Sequence, residues 1–287
     1  MAHRGGRKSH RRAHRTHAAH KGAMECSDRI FGDMNIERIK TGIPGFDELL
    51  GKGIPNGNSI LVEGGPGSGK TIFCLNIAKN MCMKGKKVLY MSFEEPERRL
   101  ICHMKDFGWD PVPEIKRGRL YIKRLSALDI SRSVEALLSE AKKELLIEVR
   151  PMLFPDDFKP DILLVDSLTS IASAFSGAHS RFRIYMEQLF KYLEKENITS
   201  FLIRETPNPT HIGRIITGRE EAVSFLSDGI ISLYNVLSEH GDRTRALEII
   251  KMRGEKFDNR IVEFEIKDKG GIHVYPNKQI GLTKILT

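Results

Sequence analysis

The stretch EGGPGSGKT, residues 63–71, decides the fold of this 287-residue chain. It fits the pattern of a glycine, four residues of any kind and then Gly-Lys followed by Ser or Thr, which is typical of phosphate-binding loops. An apolar run that favours a β-strand, SILVE at 59–63, precedes it, and the helical segment TIFCLNIAKNM at 71–81 follows. This order places backbone N–H groups and the positive end of a helix around one anion. A glycine-rich turn without a ligand is the alternative interpretation.

Residue types within this loop predict how it binds a nucleoside triphosphate. The ammonium group of Lys70 is expected to reach the β- and γ-phosphates, and the hydroxyl of Thr71 is expected to ligate Mg²⁺. The glycines allow the backbone to curl so that successive N–H groups point inward. The residues predicted to bind ATP and Mg²⁺ are Gly64, Gly65, Pro66, Gly67, Ser68, Gly69, Lys70, Thr71 and Ile72.

On both sides of the loop, short apolar runs that favour strands alternate with amphipathic helical patterns. This alternation is typical of a parallel sheet covered by helices on both faces. The segment RIVEFEIKDKGGIHVYP at 260–276 alternates apolar and charged residues and predicts an antiparallel hairpin at the sheet edge. We therefore predict an α/β fold with a mostly parallel central sheet and a C-terminal antiparallel hairpin. The predicted strands are 59–63, 87–93, 119–125, 161–166, 198–204, 229–235 and 246–252.

One helical segment, RIYMEQLFKYLEKE at 183–196, shows apolar residues at mixed spacings of three and four. This spacing predicts a single apolar stripe that packs on the sheet, with no functional role. The residues of the predicted stripe are Ile184, Met186, Leu189, Phe190 and Leu193.

A carboxylate follows one of the predicted strands. The apolar run DILLVD at 161–166 ends in Asp166, and an acidic residue in this position beside a phosphate loop holds Mg²⁺ or its water shell. Apolar strands that end in Asp are common, so the prediction depends on the loop being present. Thr71 and Asp166 are the predicted metal ligands.

Two further carboxylates, Glu94 and Glu95, follow the predicted strand at 87–93. The carboxyl end of a parallel strand is the edge at which ligands bind in open α/β sheets. A glutamate there can orient and deprotonate the water that attacks the γ-phosphate. The alternative is a solvated acidic turn in which Pro96 starts the next helix.

Composition favours one large cytoplasmic domain. A chain of this length with 40% hydrophobic residues can bury a full core. No apolar run is long enough to span a membrane, and no secretory signal is evident. The cysteines, Cys26, Cys74, Cys82 and Cys102, form no C-x-x-C pair and are expected to be reduced thiols.

The net charge of +9 is concentrated in the leader at 1–23, which has seven basic and no acidic residues. The remainder has 39 basic and 37 acidic residues, so it is nearly neutral. Because the leader has almost no apolar content, we expect it to be disordered. It is either a basic arm for phosphate backbones or a stretch that precedes the native start at Met24. Residues 24–287 are expected to form the single folded domain.

The motifs together resemble those of the KaiC-like branch of the RecA-type ATPases, over residues 36–276. The resemblance implies a RecA-like fold, ATP hydrolysis and a homo-oligomeric, hexameric ring. By similarity Glu95 is the favoured catalytic base, with Glu94 second, and Lys251 and Arg253 would project into the active site of the neighbouring subunit. The matching segments are RIKTGIPGFDELLGKGIPNGNSILVEGGPGSGKT (38–71), FEEP (93–96), DILLVDSLTSI (161–171) and KMRG (251–254).

Two departures from the family pattern bear on function. Relatives often continue KMRG with a Thr-x-His turn, whereas this chain continues with EKFDN at 255–259. The clock member of the family has two such domains and autophosphorylates, so neither a clock role nor autokinase activity is predicted for one domain.

Two other functions remain open at this stage. A DNA-binding recombinase relative would use the segment at 206–225 as a channel loop, with Arg214 and Arg219 on phosphates. That segment has few positive charges and no aromatic residue suited to base stacking, so nucleic acid is not the favoured partner. A regulatory scaffold that binds ATP without fast hydrolysis is the other alternative.

Overall fold

The computed structural model describes residues 37–141, 154–155, 157–175, 179–206, 219–237, 243–280 and 285–286. The leader at 1–23 and the residues up to 36 lie outside the described residues. From Arg38 onward the chain forms one unit. In the described part of the chain, no helix combines the length and hydrophobicity needed to cross a bilayer.

The observed strands and helices follow the predicted alternation. The strands are β1 (Arg38–Ile39), β2 (Ile54–Pro55), β3 (Ser59–Gly64), β4 (Val88–Ser92), β5 (Leu120–Arg124), β6 (Ile162–Asp166), β7 (Thr199–Glu205), β8 (Gly229–Leu237), β9 (Arg243–Met252), β10 (Val262–Lys267), β11 (Gly271–Gln279) and β12 (Ile285–Leu286). The helices are α1 (Phe46–Leu49), α2 (Lys70–Met83), α3 (Glu97–Asp106), α4 (Val112–Lys116), α5 (Ala127–Ala141), α6 (Leu168–Ala174), α7 (His179–Lys195) and α8 (Arg219–Leu226).

The main sheet has the strand order β11-β10-β9-β8-β3-β7-β6-β4-β5, and β12 pairs with β8. The strands from β8 to β5 in this order are parallel to their neighbours, whereas β9, β10 and β11 continue the sheet in antiparallel pairs. The phosphate-loop strand β3 therefore lies in the middle of the sheet. This arrangement confirms the predicted α/β class, including its antiparallel C-terminal hairpin.

Two apolar clusters pack on the opposite faces of the sheet. The first joins α1, α2 and α3 with the C-terminal hairpin, and Phe46 of α1 meets Phe73 of α2 edge to face at 5.2 Å. The second cluster joins α6, α7 and α8 to the other face. Every residue of β3 is buried, because a central parallel strand is covered on both faces. Helices on both sides thus hold β3 and the loop that follows it.

Helix α7 corrects one prediction. Met186, Leu189, Phe190 and Leu193 are buried as predicted, but Ile184 is 40% exposed. Tyr185 takes the buried position instead, at 3% exposure. The stripe therefore starts one residue later and repeats cleanly at spacings of one and three, the period expected of a helix that lies on a sheet.

The described cysteines are free thiols. Cys74 and Cys82 are buried within α2, and Cys102 is exposed on α3. Burial raises the pKa of Cys82 to about 12, so this thiol stays protonated and unreactive. Cys26 lies outside the described residues.

Candidate active site

The loop between β3 and α2 closes tightly around the side chain of Lys70. Lys70 is only 7% exposed, and its Nζ donates hydrogen bonds to Gly64 O at 3.0 Å and Gly65 O at 2.9 Å. Helix α2 begins at Lys70, because Gly69 before it adopts a left-handed conformation at φ 102°. The ammonium group is thus placed inside the curl of the loop, at the amino end of a helix.

Glycine is required where the loop leaves the sheet. A Cβ on Gly64 would lie 2.2 Å from Leu233 O and 2.7 Å from Ser68 Oγ, so no other residue fits without moving β8. The close approach keeps the loop backbone low against the sheet edge. This leaves the concave side of the loop, rather than its side chains, facing a ligand.

Lys70 is surrounded by acidic groups. Burial lowers the pKa of Lys70, and the nearby carboxylates Glu205, Asp166 and Glu94 oppose this effect. A buried ammonium group with three carboxylates around it marks a place where charge is concentrated for binding.

Asp166 lies at the carboxyl end of β6 and faces the first turn of α2. Its Oδ2 accepts hydrogen bonds from Thr71 Oγ1 and from Tyr90 OH, both at 2.9 Å. Burial raises the pKa of Asp166 to about 6, although the bonds from Tyr90 and Thr71 act in the opposite direction. Tyr90 lies on β4 and its own pKa is raised, first by burial and then by Asp166, so it stays a donor. The peptide bond between Asp166 and Ser167 is cis.

These residues fit a bound Mg²⁺ ion and a triphosphate. Mg²⁺ prefers oxygen ligands, and the hydroxyl of Thr71 and the carboxylate of Asp166 lie side by side. A cation there would also favour the ionised form of Asp166, which burial disfavours. Within the loop, Ser68 Oγ is buried and has no hydrogen-bond partner among the described residues, so a polar atom is available to a ligand.

The two candidate bases, Glu94 and Glu95, differ in their surroundings. Glu94 Oε1 accepts hydrogen bonds from Ser167 Oγ at 2.6 Å and Ser170 Oγ at 3.0 Å, and this carboxylate interacts electrostatically with Lys70. The hydroxyls that hold Glu94 belong to the start of α6, directly after Asp166. Glu94 is therefore tied to the phosphate-loop side of the sheet edge.

Glu95 turns toward helix α3. Its Oε2 lies 3.7 Å from His103 Nδ1, and its backbone N–H donates to Ser92 Oγ at 3.0 Å. The carboxylates that act on the pKa of Lys70 include Glu94, Asp166 and Glu205, whereas Glu95 acts on the pKa of Tyr90. The preference of the sequence analysis for Glu95 stays a prediction, and the geometry favours Glu94.

Lys251 and Arg253, which we call the finger residues, lie at the other end of the sheet. Lys251 pairs with Ile230 in the register of β9 and β8, whereas the phosphate loop starts beside Leu233. Three residues of strand separate the two levels, which is about 10 Å along the sheet. In this chain the finger residues therefore point away from the phosphate loop.

Both finger residues bind the carboxyl end of α8. Lys251 Nζ donates to Ser224 O at 3.0 Å and Ser227 O at 2.5 Å. Arg253 NH2 donates to Phe225 O at 2.7 Å, and its NH1 lies 3.4 Å from Asp228 Oδ1. Cations suit the negative end of a helix. Of the proposed DNA contacts, Arg214 lies outside the described residues.

Several residues at the site had no signal in the sequence. Tyr90 reads as a core residue of β4, and Glu205 reads as an ordinary strand end, because their partners come from distant parts of the chain. Thr206, which follows Glu205, is the candidate that the sequence offers for sensing the γ-phosphate, with a plain loop start as the alternative, and this role stays a prediction. It is 2% exposed and its backbone N–H donates to Gly64 O at 3.2 Å. A search for positions at the carboxyl ends of all the central strands would have found Glu205.

Comparisons with known proteins agree on one family. The model of the KaiC ATPase family matches residues 39–279. A UPF0273 protein from Aeropyrum pernix is 34% identical over 85% of this chain and 96% of its own length. The circadian clock oscillator protein KaiC from Synechococcus elongatus is 30% identical over 87% of this chain, which spans only 44% of that protein. The crystal structure of a KaiC-like protein from Pyrococcus horikoshii superposes with a TM-score of 0.65 at 27% identity, covering 84% of this chain and all of that one. The family is one of nucleotide-binding ATPases with the RecA-type α/β fold, and this chain belongs to it as a single KaiC domain.

Proposed function

We propose that this protein is a Mg²⁺-dependent ATPase that works as a homo-oligomeric ring, with each active site completed by the finger residues of the neighbouring subunit. The observation that carries the proposal is the separation of two sets of groups in one chain. The carboxyl edge of the sheet brings together Lys70, Thr71, Asp166 and Glu94. The finger residues Lys251 and Arg253 lie at the opposite edge of the same sheet. A second copy placed head to tail would bring the two sets together, and repeated contacts of this kind close into a ring.

The phosphate loop supplies binding. Its N–H groups and the amino end of α2 would hold the phosphates, and Lys70 would exchange its two carbonyl partners for phosphate oxygens. Thr71 and Asp166 would hold Mg²⁺, which would neutralise charge on the bound phosphates. Tyr90 keeps the Asp166 carboxylate aimed at Thr71, since it binds the same oxygen, Oδ2.

Glu94 is the residue that we propose as general base. It would take a proton from water while the water oxygen forms a bond to the γ-phosphorus and the bond from that phosphorus to the ADP oxygen breaks. Ser167 and Ser170 hold Oε1 of Glu94 and so fix the carboxylate in place. Lys251 and Arg253 from the neighbour would stabilise the charge that develops on the transferred group.

The direct test measures mass in solution and ATP turnover for the full chain, with and without ATP and Mg²⁺. We expect a ring-sized assembly whose turnover needs Mg²⁺ and does not respond to single-stranded DNA. The Lys70→Ala variant is the matched control, because it removes the phosphate contact and leaves the finger residues untouched. A monomer whose turnover rises with DNA would contradict the proposal in favour of a recombinase relative, and a protein that binds ATP without turnover would favour a scaffold.

A further inference from the structure

A row of buried polar side chains crosses the centre of the sheet directly below the phosphate loop. Arg204 of β7, Glu63 of β3, Ser232 of β8 and Glu248 of β9 are consecutive partners in the strand register. Each is at most 8% exposed. Glu63 accepts hydrogen bonds from Arg204 NH2 through Oε2 and from Ser232 Oγ, at 2.9 Å, through Oε1. Glu63 immediately precedes Gly64, so this ion pair is anchored at the base of the loop.

Arg204 also reaches helix α8. Its NH1 donates to Ser224 Oγ at 2.8 Å. The backbone carbonyl of the same residue, Ser224, accepts from Lys251 Nζ, and the next carbonyl, that of Phe225, accepts from Arg253. One residue of α8 thus contacts the ion pair with its side chain and a finger residue with its backbone.

We propose that Arg204 is a positioning residue, which sets the end of α8 through Ser224 and thereby the place of Lys251 and Arg253 in the neighbouring active site. A buried ion pair resists displacement, because moving either partner leaves the other charge without compensation. Because Arg204 is fixed by Glu63, its hydrogen bond to Ser224 also fixes the end of α8. The backbone carbonyls there bind Lys251 and Arg253, so their positions depend on the ion pair. This inference rests on the proposed function, since the finger acts in another subunit.

Ser224 is the position that tests the inference without unfolding the chain. Arg204→Ala would leave Glu63 buried and uncompensated, and such losses are strongly destabilising. Ser224 is only half-buried, so Ser224→Ala removes one hydroxyl and keeps the ion pair. Ser232→Ala is the matched control, because it removes the other hydroxyl that binds the pair and does not touch α8. Ser224→Thr restores a hydroxyl and serves as the rescue.

The experiment uses rings that mix wild-type subunits with altered subunits, called donors. A donor has an inactive site of its own and contributes only Lys251 and Arg253 to the site of its neighbour. Donor subunits carry Glu94→Gln and Glu95→Gln, so that they retain the phosphate loop, and their lack of turnover alone is verified first. They are co-expressed in excess with wild-type subunits and isolated through two different affinity tags. Turnover then comes from wild-type sites whose neighbours supply the finger, and kcat and KM for ATP are measured per wild-type subunit.

Donors with Ser224→Ala are expected to lower kcat about threefold, the effect of one hydrogen bond, with KM for ATP unchanged. Donors with Ser232→Ala or Ser224→Thr should leave kcat near the value for unmodified donors. Equal effects of Ser224→Ala and Ser232→Ala, or no effect of either, would overturn the inference alone, provided that Arg253→Ala donors lower kcat. If Arg253→Ala donors have no effect, the finger does not act between subunits, and both this inference and the proposed ring mechanism fail.

Discussion

The two edges of the sheet, at the carboxyl and amino ends of strand β3, differ in whether one chain supplies a complete set of groups for binding a phosphate. At the carboxyl end, Lys70, Thr71 and Asp166 come from one chain and already contact each other or the loop. At the amino end, the partners of Lys251 and Arg253 among the described residues are backbone carbonyls and Asp228. Under the proposed function, the carboxyl end would bind a nucleotide with groups of one chain, whereas the amino end would gain a chemical role when a second copy brings a phosphate to it.

The side chains at the two ends also differ in how firmly their own chain holds them. Lys70 is buried and held by two carbonyls, so little freedom remains in its side chain. Arg253 is 55% exposed on its side chain, and its ion pair with Asp228 is long, at 3.4 Å. Exposed pairs of this kind contribute about 0–1 kcal/mol. The pair with Asp228 therefore adds little cost when Arg253 moves to a phosphate, and the hydrogen bond to Phe225 O would be exchanged for one to the phosphate.

The largest effect on ATP turnover is expected when the finger residue Arg253 at the amino end is removed. Arg253→Ala is expected to lower ATP turnover by about 10³-fold or more, because finger cations stabilise the transition state. Binding of ATP, measured with a fluorescent analogue, should change little, since the phosphate loop is intact. Lys251→Ala should act in the same direction and also loosen the end of α8, where its Nζ binds three carbonyls.

Mixing two inactive variants tests whether Arg253 acts in the active site of the neighbouring subunit or in that of its own chain. Lys70→Ala subunits have an intact finger, and Arg253→Ala subunits have an intact loop, so co-assembly creates some complete interfaces. Random mixing of equal amounts in a ring should restore roughly a quarter of wild-type turnover. Turnover of the mixture that stays at the level of the separate variants would place Arg253 outside the reaction between subunits.

The next prediction separates the two glutamates at the carboxyl end. Glu94→Gln is expected to lower kcat by about 10²- to 10⁴-fold, the usual contribution of a general base, while ATP binding persists. Glu95→Gln keeps the same shape and should lower kcat by less than about tenfold, because Glu95 faces His103 on α3. A larger loss from Glu95→Gln would instead support the base that family resemblance favours.

Sequence patterns predicted the fold class well, because the alternation of strands with helices and the phosphate loop depend on local signals. The runs of β3, β4 and β6 are mostly apolar, so the ends of these three strands were predicted to within one residue, whereas the start of β9 was predicted three residues too late. The stripe on α7 was misplaced by one residue, since Ile184 and Tyr185 are both apolar enough to be the first buried position. Pattern alone cannot decide which of them faces the sheet.

The site was less predictable where partners meet across the sheet. Asp166 was predicted from its strand, but its bond to Tyr90 joins β6 to β4 and has no signature in either segment. Likewise Glu94 and Glu95 are adjacent and chemically identical in the sequence. In the structure, serines at the start of α6 donate to Glu94, whereas the carboxylate of Glu95 faces His103 on α3. Contacts between distant segments decide these roles, and they follow from packing rather than from motif.

The smallest effect that we predict concerns stability at the two ends. Burial raises the pKa of Asp166 from its ordinary 3.8 to about 6, so the folded state disfavours the carboxylate above that pH. This cost is fully present at pH 8, declines as the pH falls through 6, and vanishes below about 4, where Asp166 is protonated in both states. Asp166→Asn should therefore raise the free energy of unfolding of the metal-free protein by about 2 kcal/mol at pH 8 and by about half as much at pH 5.

Urea denaturation without Mg²⁺ or nucleotide at the two pH values measures this difference. Asp228→Asn at the amino end is the matched control, and it should not stabilise the protein at pH 8, because it weakens the exposed pair with Arg253. The same Asp166→Asn variant should lose turnover that depends on Mg²⁺, so stability and activity would move in opposite directions. Equal stability changes at pH 5 and pH 8 would show that Asp166 carries no cost of burial. A larger increase in the free energy of unfolding at pH 8 than at pH 5 would show that the buried Asp166 carboxylate destabilises the metal-free protein. No such increase is expected for Asp228→Asn at the amino end.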